Sequence, residues 1–396
     1  MAKDSDRSLY ERFYFHGLAL LVAVLLAAVA FFLGYAKASP RSMRQVASDA
    51  VQATAGIFRE IWAQSVAPEP VHFMQPSRKP GSGVTVNDGA DQDSLVLLTG
   101  FFDGNPGLRL IRRDGAVVAD WPARFSELLP EAKGAFGAPQ SDWNIDLHGT
   151  EIEADGSVVF NFEYQGAVKL DRCGKRLWAL PERTHHTIEP AAGGGYWIAA
   201  RHISGDPHDP RYRPLVPPDR ERGWVEEDYI LKVDADGHVL TSKSVFELLM
   251  ENGLEPVLTA TGEDLNGDTL GDNELMHTNQ ITELSPDLAP AFPMFRAGDL
   301  VLSLRDYNLV FVVDPADWTV KWHSTGPWIR QHSSRFLSDG TIGVFNNNAY
   351  VYQIADGNRS DLSQPFDADI LSVDPKTGVS RIRYGKRPGE EMLNVE

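Results

Sequence analysis

The amino-acid sequence predicts an all-β protein: a six-bladed β-propeller, with five to seven blades compatible with its length, preceded by a transmembrane helix and an amphipathic stalk helix. Three observations support this prediction. One uncharged apolar segment lies near the amino terminus, an amphipathic segment follows it, and short strand-like runs then recur in units of about 60 residues. We divide the chain into a cytoplasmic tail and anchor (1–40), a helix and linker (41–93) and a propeller domain (94–396).

The first segment has the length and composition of a membrane anchor. No charged residue occurs from Phe13 to Ala36, and about 20 apolar residues cross the hydrocarbon layer. Aromatic residues lie at both ends, as in interfacial belts. A cleaved signal peptide is the alternative, because Ala36-Lys37-Ala38 resembles a cleavage site, but its apolar core is too long for that role. We expect a single pass through the cell inner membrane, with everything after residue 40 on the periplasmic or extracytoplasmic side.

The second segment is predicted to be a helix followed by a linker. In residues 41–66 apolar side chains recur at i, i+3 and i+4 with polar residues between them, which is typical of an amphipathic helix. Pro68 and Pro70 end it. A stalk helix and a partner-binding helix both fit this pattern. Residues 68–93 are rich in Pro, Gly and Asp and read as linker.

The charge distribution excludes nucleic acid as a partner. Lys and Arg number 37 and Asp and Glu number 55, for a net charge of −18. Residues 1–44 carry +3, so the rest carries −21, whereas nucleic-acid binding needs a basic face. The acidic body also argues against electrostatic docking on anionic lipid. One cysteine, Cys173, excludes an internal disulfide framework and a multi-cysteine metal site.

From residue 94 onward the pattern is one of short strands. Runs of strand length are rich in β-branched and aromatic residues and are separated by turns. They are Leu95–Thr99, Leu108–Ile111, Val117–Ala119, Ser157–Phe162, Ala167–Leu170, Gly195–Ala200, Tyr229–Val233, Leu300–Leu304, Leu309–Val313 and Thr341–Phe345. Helical candidates are short and lie near 124–132 and 245–252, so a parallel α/β sheet is not expected.

An internal repeat predicts the architecture. In each unit an apolar strand ends in Asp, a glycine turn follows, and the next strand often closes on Trp. The aspartates are Asp114, Asp171, Asp234, Asp314 and Asp374, at steps of 57, 63, 80 and 60 residues. A second hairpin precedes the unit, as in EIEADGSVVFNF and RFLSDGTIGVFN. Two hairpins per unit make one four-stranded propeller blade, and one blade could be closed by strands from both chain ends.

Several histidines recur just before the first hairpin of a unit. They are His148, His186, His277 and His332. Inner strands line the channel of a propeller, so equivalent residues of successive blades converge on one axial site. We therefore expect these side chains to form one cluster, although single structural histidines that cap turns are the alternative.

Four segments resemble the arylsulfotransferase family. They are MHTNQI (276–281), LVLSLRDYNLVFVVD (300–314), VKWHSTG (320–326) and QHSSRFLSDGTIGVFNNN (331–348). The resemblance covers roughly residues 145–350 and is strongest from 275 to 348. It implies a six-bladed, often exported propeller that moves a sulfuryl group between phenols through a sulfated histidine. It also implies small aryl sulfate and phenolic substrates and no required cofactor or nucleotide donor.

The resemblance assigns roles to individual residues. His332 matches the nucleophile and Arg305 the arginine that holds sulfate oxygens. His277 matches a second active-site histidine and His186 a third, with His185 as the alternative to His186. Substrate contacts are expected from His148, His185, Asn279 and Asn347.

Three positions depart from the family pattern. Gln280 replaces the serine of the His-x-Asn-Ser motif, Asp306 follows the arginine, and Asn346 stands where the family often has a carboxylate.

The chemistry of these residue types agrees with that assignment. Neutral imidazole is nucleophilic near pH 7 and can carry a transferred group. A guanidinium binds two sulfuryl oxygens at once. A structural ion pair with Asp306 is the alternative role for Arg305. Trp322 and Trp328 could wall a pocket or pack between blades.

The segment DLNGDTLGDNE (264–274) resembles the start of a calcium loop through Asp264, Asn266 and Asp268. The twelfth position is Leu275 rather than Glu, so the match is weak and an acidic solvated loop is the alternative.

Two functions follow from the sequence. One is a membrane-anchored, exported sulfotransferase. The other is a non-catalytic envelope propeller that binds a glycan, a sulfated ligand or a protein partner. A metal-dependent hydrolase on the histidines is a third, weaker option, and the oligomeric state is left open.

Overall fold

The fold is given by a computed structural model. The structure describes residues 81, 83–89, 91–133, 135, 138–139, 141–143, 145–204, 209–212, 225–259, 275–348, 368–390 and 392, and the backbone of 351–353 and 359–361. All of them belong to the second of the two units into which the chain divides, Phe73–Glu396. The predicted anchor, stalk helix and calcium loop lie outside these residues. Within them, no helix combines the length and apolar composition needed to cross a bilayer.

The first three sheets follow the chain without crossover. The first contains β1 (Leu95–Phe102), β2 (Asn105–Arg112) and β3 (Val117–Pro122). The second contains β4 (Leu147–Ile152), β5 (Val158–Phe162), β6 (Gly166–Leu170) and β7 (Arg176–Leu180). The third contains β8 (Thr184–Pro190), β9 (Tyr196–Ser204), β10 (Val225–Val233) and β11 (Val239–Ser244). Every pairing is antiparallel.

The remaining sheets repeat this pattern. The fourth contains β12 (Thr278–Glu283), β13 (Leu300–Leu304), β14 (Leu309–Asp314) and β15 (Thr319–Ser324). Next come β16 (His332–Phe336), β17 (Ile342–Asn346), β18 (Val351–Gln353), β19 (Arg359–Asp361), β20 (Asp369–Val373) and β21 (Ser380–Tyr384). β16, β17, β20 and β21 form the fifth sheet, and β18 pairs with β19. Helices are short: α1 (Phe125–Leu128), α2 (Val245–Glu251), α3 (Glu255–Thr259) and the 3₁₀ turns Pro130–Ala132, Pro210–Tyr212 and Ala289–Ala291.

The described residues form a β-propeller of five blades, so the expected sixth blade is not found among them. Each repeat aspartate marks one sheet, and the long step from Asp234 to Asp314 holds α2 and α3 rather than another blade. Each four-stranded sheet is built from one continuous stretch of chain, and the first sheet has three described strands. The all-β class, the ten predicted strands and the two short helical candidates are confirmed.

The repeat aspartates close the outer hairpin of each blade. In each turn the carboxylate accepts a hydrogen bond from the backbone N–H two residues later. The acceptors are Asp114, Asp171, Asp234, Asp314 and Asp374, at N···O distances of 2.8–3.1 Å. This Asx turn explains why an aspartate recurs at the same position of every repeat unit. Two of these turns also join blades, because Trp121 donates to the carbonyl of Asp171 and Trp178 to that of Ala235.

The central strands are apolar because both of their faces are buried between blades. In β13, Leu300, Leu302 and Leu304 pack into the cluster shared with the third sheet. Val301 points the other way, into the cluster shared with the fifth sheet. Burying one such side chain contributes about 1.5–3 kcal/mol. The continuous apolar runs of the sequence therefore hold neighbouring blades together.

The inner strand of each of the last four blades carries a β-bulge at its first residues. Pairing shifts near His148 in β4, His185 in β8, Thr278 in β12 and His332 in β16. One residue beside each bulge has a left-handed backbone: Gly149 (φ 45°), His186 (50°), His277 (55°) and Ser333 (55°). Bulges re-aim side chains, and non-glycine residues at positive φ store strain that tends to occur at functional sites.

Gly149→Ala tests how closely two inner strands approach. A Cβ at Gly149 would lie 2.1 Å from the carbonyl oxygen of His186, whereas a Cβ at Gly174, also at positive φ, would meet nothing within 4 Å. The left-handed backbone costs about 1–2 kcal/mol in both alanine variants. We expect Gly149→Ala to lose about 1–3 kcal/mol more than Gly174→Ala, measured by urea unfolding. Equal losses would contradict this close approach.

Candidate active site

The last four blades converge on one cavity of about 740 Å³. It is lined by His148, His186, His277, Asn279, Arg305 and His332 among the residues selected from the sequence. The central channel of the propeller therefore brings together side chains that are up to 184 positions apart in the chain. Each lining histidine comes from a different blade.

His186 lies at the centre of the imidazole cluster. Its ring centroid is 4.9 Å from that of His148, 4.9 Å from that of His277 and 5.9 Å from that of His332. The rings of His277 and His332 are 6.3 Å apart. A ligand in the cavity can thus touch several imidazoles at once.

His332 is the first residue of β16, and contacts on both sides of it fix its position. The preceding Gln331 is buried and donates to Ser303 Oγ at 3.0 Å and to the carbonyl of Leu304 at 3.1 Å in the fourth blade. Asn347 Nδ2 lies 3.2 Å from His332 Nδ1. The amide oxygen of Asn347 is buried without a hydrogen-bond partner, and the oxygen and nitrogen of an amide can exchange places by a flip. With the amide flipped, its oxygen accepts from His332 Nδ1–H, and Nε2 keeps its lone pair for the cavity.

Burial lowers the pKa of His332 to about 3, and the neighbouring His277 and Arg305 act in the same direction. Burial also lowers the pKa of His277 well below 6.5, with Arg305 as the next cause. For His186 burial acts first and the neighbouring imidazoles second, in the same direction. A charged imidazolium is disfavoured in this low-dielectric, positively charged pocket. All three rings are therefore neutral at pH 7.

Arg305 follows β13 and lies beside His277. Its backbone N–H donates to the His277 carbonyl at 3.1 Å. Its Nε donates to Asp306 Oδ1 at 3.0 Å, and both side chains are largely buried. This bond uses one of the five N–H donors of the guanidinium. The ion pair with Asp306 therefore orients Arg305 on the cavity wall and is compatible with anion binding.

His148 has a different environment from the other lining histidines. Its Nε2 lies 3.1 Å from Asp146 Oδ2 and its Nδ1 3.4 Å from Glu163 Oε1. Burial would lower its pKa, but the hydrogen bond with Asp146 and the charges of Glu163 and Asp146 outweigh it and raise the pKa. The cavity thus combines neutral imidazoles with one that favours its protonated form, and such opposed pairs are typical of acid–base sites.

Two of the selected residues do not line the cavity. His185 is completely buried behind His186, with Nδ1 to Nδ1 at 2.9 Å. Asn347 is also completely buried and contacts His332. Both act on lining histidines rather than on a ligand. Alternation along a strand cannot distinguish His185 from His186, because the bulge in β8 breaks that alternation.

Sequence reasoning missed a polar layer below the histidines. Glu189 Oε1 accepts from Gln280 Nε2 at 2.7 Å and from Arg335 Nη2 at 2.6 Å. These residues line the cavity together with Glu163 and Arg330. Glu189, Gln280 and Arg335 each lie two or three residues after the left-handed residue of an inner strand. This shared position in the repeat is the signal that could have identified them.

The remaining sequence candidates have structural roles. Trp328 is buried, donates its indole N–H to the carbonyl of Asn308 at 2.7 Å and packs between the fourth and fifth blades. Trp322 packs against the same cluster. Asn346 accepts from the backbone N–H of Ile329 at 2.8 Å, so it holds the loop before His332.

Two overlapping sets of side chains have metal-ligand spacing. The donor atoms of His186, His277 and His332 lie within 4.8 Å of one another, as do those of His148, Glu163 and His186. Three neutral imidazoles suit a borderline transition metal such as zinc. The guanidinium of Arg305 on the same wall opposes a cation and favours an anion.

Residues 150–386 match the family model described as arylsulfotransferase (ASST). The chain belongs to the arylsulfotransferase family. No curated protein matches this arylsulfotransferase chain significantly. Among solved structures, the dihydro-heme d1 dehydrogenase NirN is similar at 11% identity and TM-score 0.34, over 80% of this chain and 57% of that one. The Cps50 (Swd1) β-propeller domain of Myceliophteria thermophila is similar at 8% identity and TM-score 0.37, over 80% and 88%.

The lowered pKa values of four imidazoles predict that the folded chain loses stability in acid. His185, His186, His277 and His332 have pKa values below the ordinary 6.5, so below pH 6.5 the unfolded chain binds protons that the folded chain does not. Stability is therefore fully present above pH 6.5 and decreases as the pH falls towards the folded-state values. Each group adds a slope of at most about 1.4 kcal/mol per pH unit.

Urea unfolding from pH 7.5 to 5 measures this slope. His332→Asn should make it shallower by one group's contribution. Gly174→Ala is the control, because it changes the stability without removing a titrating group, and it should leave the slope unchanged. A stability that does not change over this range would contradict the burial of neutral imidazoles.

Proposed function

We propose that this arylsulfotransferase moves a sulfuryl group from an aryl sulfate ester to a phenolic acceptor through a sulfated His332. The observation that carries the proposal is the convergence of His186, His277, Arg305 and His332 on one cavity in a chain of this family. Neutral imidazoles beside a guanidinium provide a nucleophile and an anion site in the same place.

In the first step the donor's sulfate oxygens bind Arg305, and His332 Nε2 attacks sulfur. The N–S bond forms as the S–O(aryl) bond breaks, and the aryl oxide leaves with the electron pair. Negative charge develops on the sulfuryl oxygens and on the leaving oxygen. Arg305 and the N–H groups of the cavity stabilise it, since preorganised donors act strongly in a desolvated site.

In the second step the acceptor hydroxyl attacks the sulfur of sulfated His332. The S–O bond forms, the N–S bond breaks, and the ring recovers its lone pair. The acceptor's proton passes to a base in the cavity and from there to the aryl oxide or water. The net change is ArOSO₃⁻ and Ar′OH to ArOH and Ar′OSO₃⁻, without a nucleotide.

His332→Asn is expected to lower nitrophenol release from nitrophenyl sulfate, with a phenol acceptor and no nucleotide, by about 10⁴-fold or more, because the nucleophile is lost. Mass spectrometry of the wild-type protein and donor should find a sulfated histidine at position 332. His238→Asn is the matched control. His238 lies in an exposed outer turn beside Asp234, so this variant should keep full activity. Unchanged turnover in His332→Asn would disprove the assignment.

Arg305→Lys keeps the positive charge but loses the planar two-donor geometry. We expect kcat/KM for the aryl sulfate to fall by about 10²–10³-fold, the typical cost of removing one donor to a developing oxyanion. Circular dichroism and the melting temperature verify that the variant is folded. A decrease of less than about 3-fold in the folded variant would mean that Arg305 serves only its ion pair with Asp306.

The same measurements separate the alternatives. Binding of sulfate or aryl sulfate without any sulfated histidine would favour a non-catalytic propeller. A chelator that abolishes turnover, restored by zinc, would favour the metal-dependent hydrolase on His186, His277 and His332. We expect turnover to survive the chelator, because the proposed nucleophile is the imidazole itself.

We further propose that the enzyme is held in the inner membrane by Phe13–Ala36 and acts on the periplasmic side. The length and lack of charge of that segment support the proposal. The full chain should stay in the membrane fraction after alkaline carbonate extraction, and a chain lacking residues 1–40 should not. Added protease should cleave the propeller in spheroplasts. Protection from the protease would place the domain in the cytoplasm instead.

A further inference from the structure

A chain of buried polar groups reaches the cavity from behind His186. His185 and Asp228 are both completely inaccessible to solvent. His185 Nδ1 lies 2.9 Å from His186 Nδ1, and His185 Nε2 lies 3.8 Å from Asp228 Oδ1. The groups therefore form a line that runs from the Asp228 carboxylate through the His185 ring to the His186 ring, which lines the cavity.

The contact between the two Nδ1 atoms requires one proton between them. Two lone pairs at 2.9 Å would repel, and two N–H groups would clash. Since burial lowers the pKa of both rings well below 6.5, each is neutral and carries one N–H. One ring therefore donates from Nδ1, and the other carries its proton on Nε2.

Asp228 determines which ring donates. Its carboxylate is held in place by Arg201, whose Nε donates to Oδ1 at 3.1 Å, and by the backbone N–H of Thr278, which donates to Oδ2. Burial and the charge of Arg201 oppose protonation of the whole His185 ring and lower its pKa, while the Ala200 carbonyl accepts a hydrogen bond from the ring. At 3.8 Å the contact of Nε2 with Asp228 is longer than a hydrogen bond, but this carboxylate still favours an N–H over a lone pair on the nitrogen that faces it. His185 thus carries its proton on Nε2, and its Nδ1 accepts from the Nδ1–H of His186.

We propose that Asp228 and His185 set the tautomer of His186, which presents an unprotonated Nε2 to the cavity and takes the proton of the acceptor hydroxyl. This inference rests on the proposed sulfuryl transfer. As the acceptor oxygen bonds to sulfur, its O–H bond breaks and the proton moves to His186 Nε2. The imidazolium is stabilised by the Asp228 carboxylate through His185 and by the charged sulfuryl group, and then releases its proton to water. His185 and Asp228 are positioning residues.

Two variants of His185 distinguish this role from simple packing. The amide oxygen of His185→Asn can accept from His186 Nδ1–H, so the tautomer is kept. His185→Leu fills the space but has no acceptor. The two half-reactions are measured separately on the full chain: the burst of nitrophenolate on sulfation, whose leaving group needs no proton, and desulfation by phenols of different pKa.

We expect His185→Leu to leave the sulfation burst within about 3-fold of wild type and to slow desulfation by weakly acidic phenols by about 10²-fold, the scale of general-base catalysis. Acidic phenols, which attack as phenolates, should be little affected, and His185→Asn should recover most of the lost rate. An equal slowing of both half-reactions, or no slowing, would overturn the proposal.

Nitrogen-15 NMR of the ¹⁵N-histidine-labelled wild-type protein tests the tautomer without any variant. The expected spectrum shows His186 protonated on Nδ1, with Nε2 as the pyridine-type nitrogen. A proton on His186 Nε2 would overturn the inference even if sulfuryl transfer is found. If no sulfated histidine forms in the wild type, the proposed function fails, and the NMR result still decides the tautomer.

Discussion

Four imidazoles and a guanidinium can share one small cavity only if most of the imidazoles are uncharged. Burial and mutual repulsion impose this on His186, His277 and His332. Arg305, oriented by its ion pair with Asp306, then places a cationic group beside neutral rings on that wall, and a planar guanidinium can bind the oxygens of a small anion. The same desolvation that suppresses protonation keeps the ring nitrogens available as nucleophiles and bases.

The scaffold achieves this through contacts that lie behind the cavity wall. Asn347 contacts His332, the carbonyl of His277 accepts the backbone N–H of Arg305, and the Asp228–His185 pair supports His186. Bulges with left-handed residues turn these side chains towards the axis. Preorganisation therefore depends on buried groups that never meet the ligand, as in other desolvated sites.

The sequence was informative wherever local chemistry determines structure. Runs such as Leu300–Leu304 predict strands buried on both faces, and the repeat aspartates predict turns because an Asx turn needs that side chain. The preferred count of six blades came from the chain length and the family resemblance, and the five blades of the described residues lie at the lower end of the predicted range of five to seven. Chain length alone cannot fix the count, because blades of about 50–60 residues fit the domain in more than one number. Sequence spacing does not encode bulges or packing across the channel. It therefore could not show that His186 lines the cavity while His185 lies behind it, nor that Glu189, Gln280 and Arg335 meet there.

Each lining imidazole is supplied by a different blade, so the cavity depends on how the blades are aligned. No single hairpin carries more than one of the four lining histidines, so the cluster exists only while neighbouring sheets stay aligned. Local opening of one blade removes one ring from the axis and leaves the others in place. Loss of the histidine cluster on heating or in mild denaturant is therefore governed by the weakest interface between sheets rather than by the stability of the whole domain.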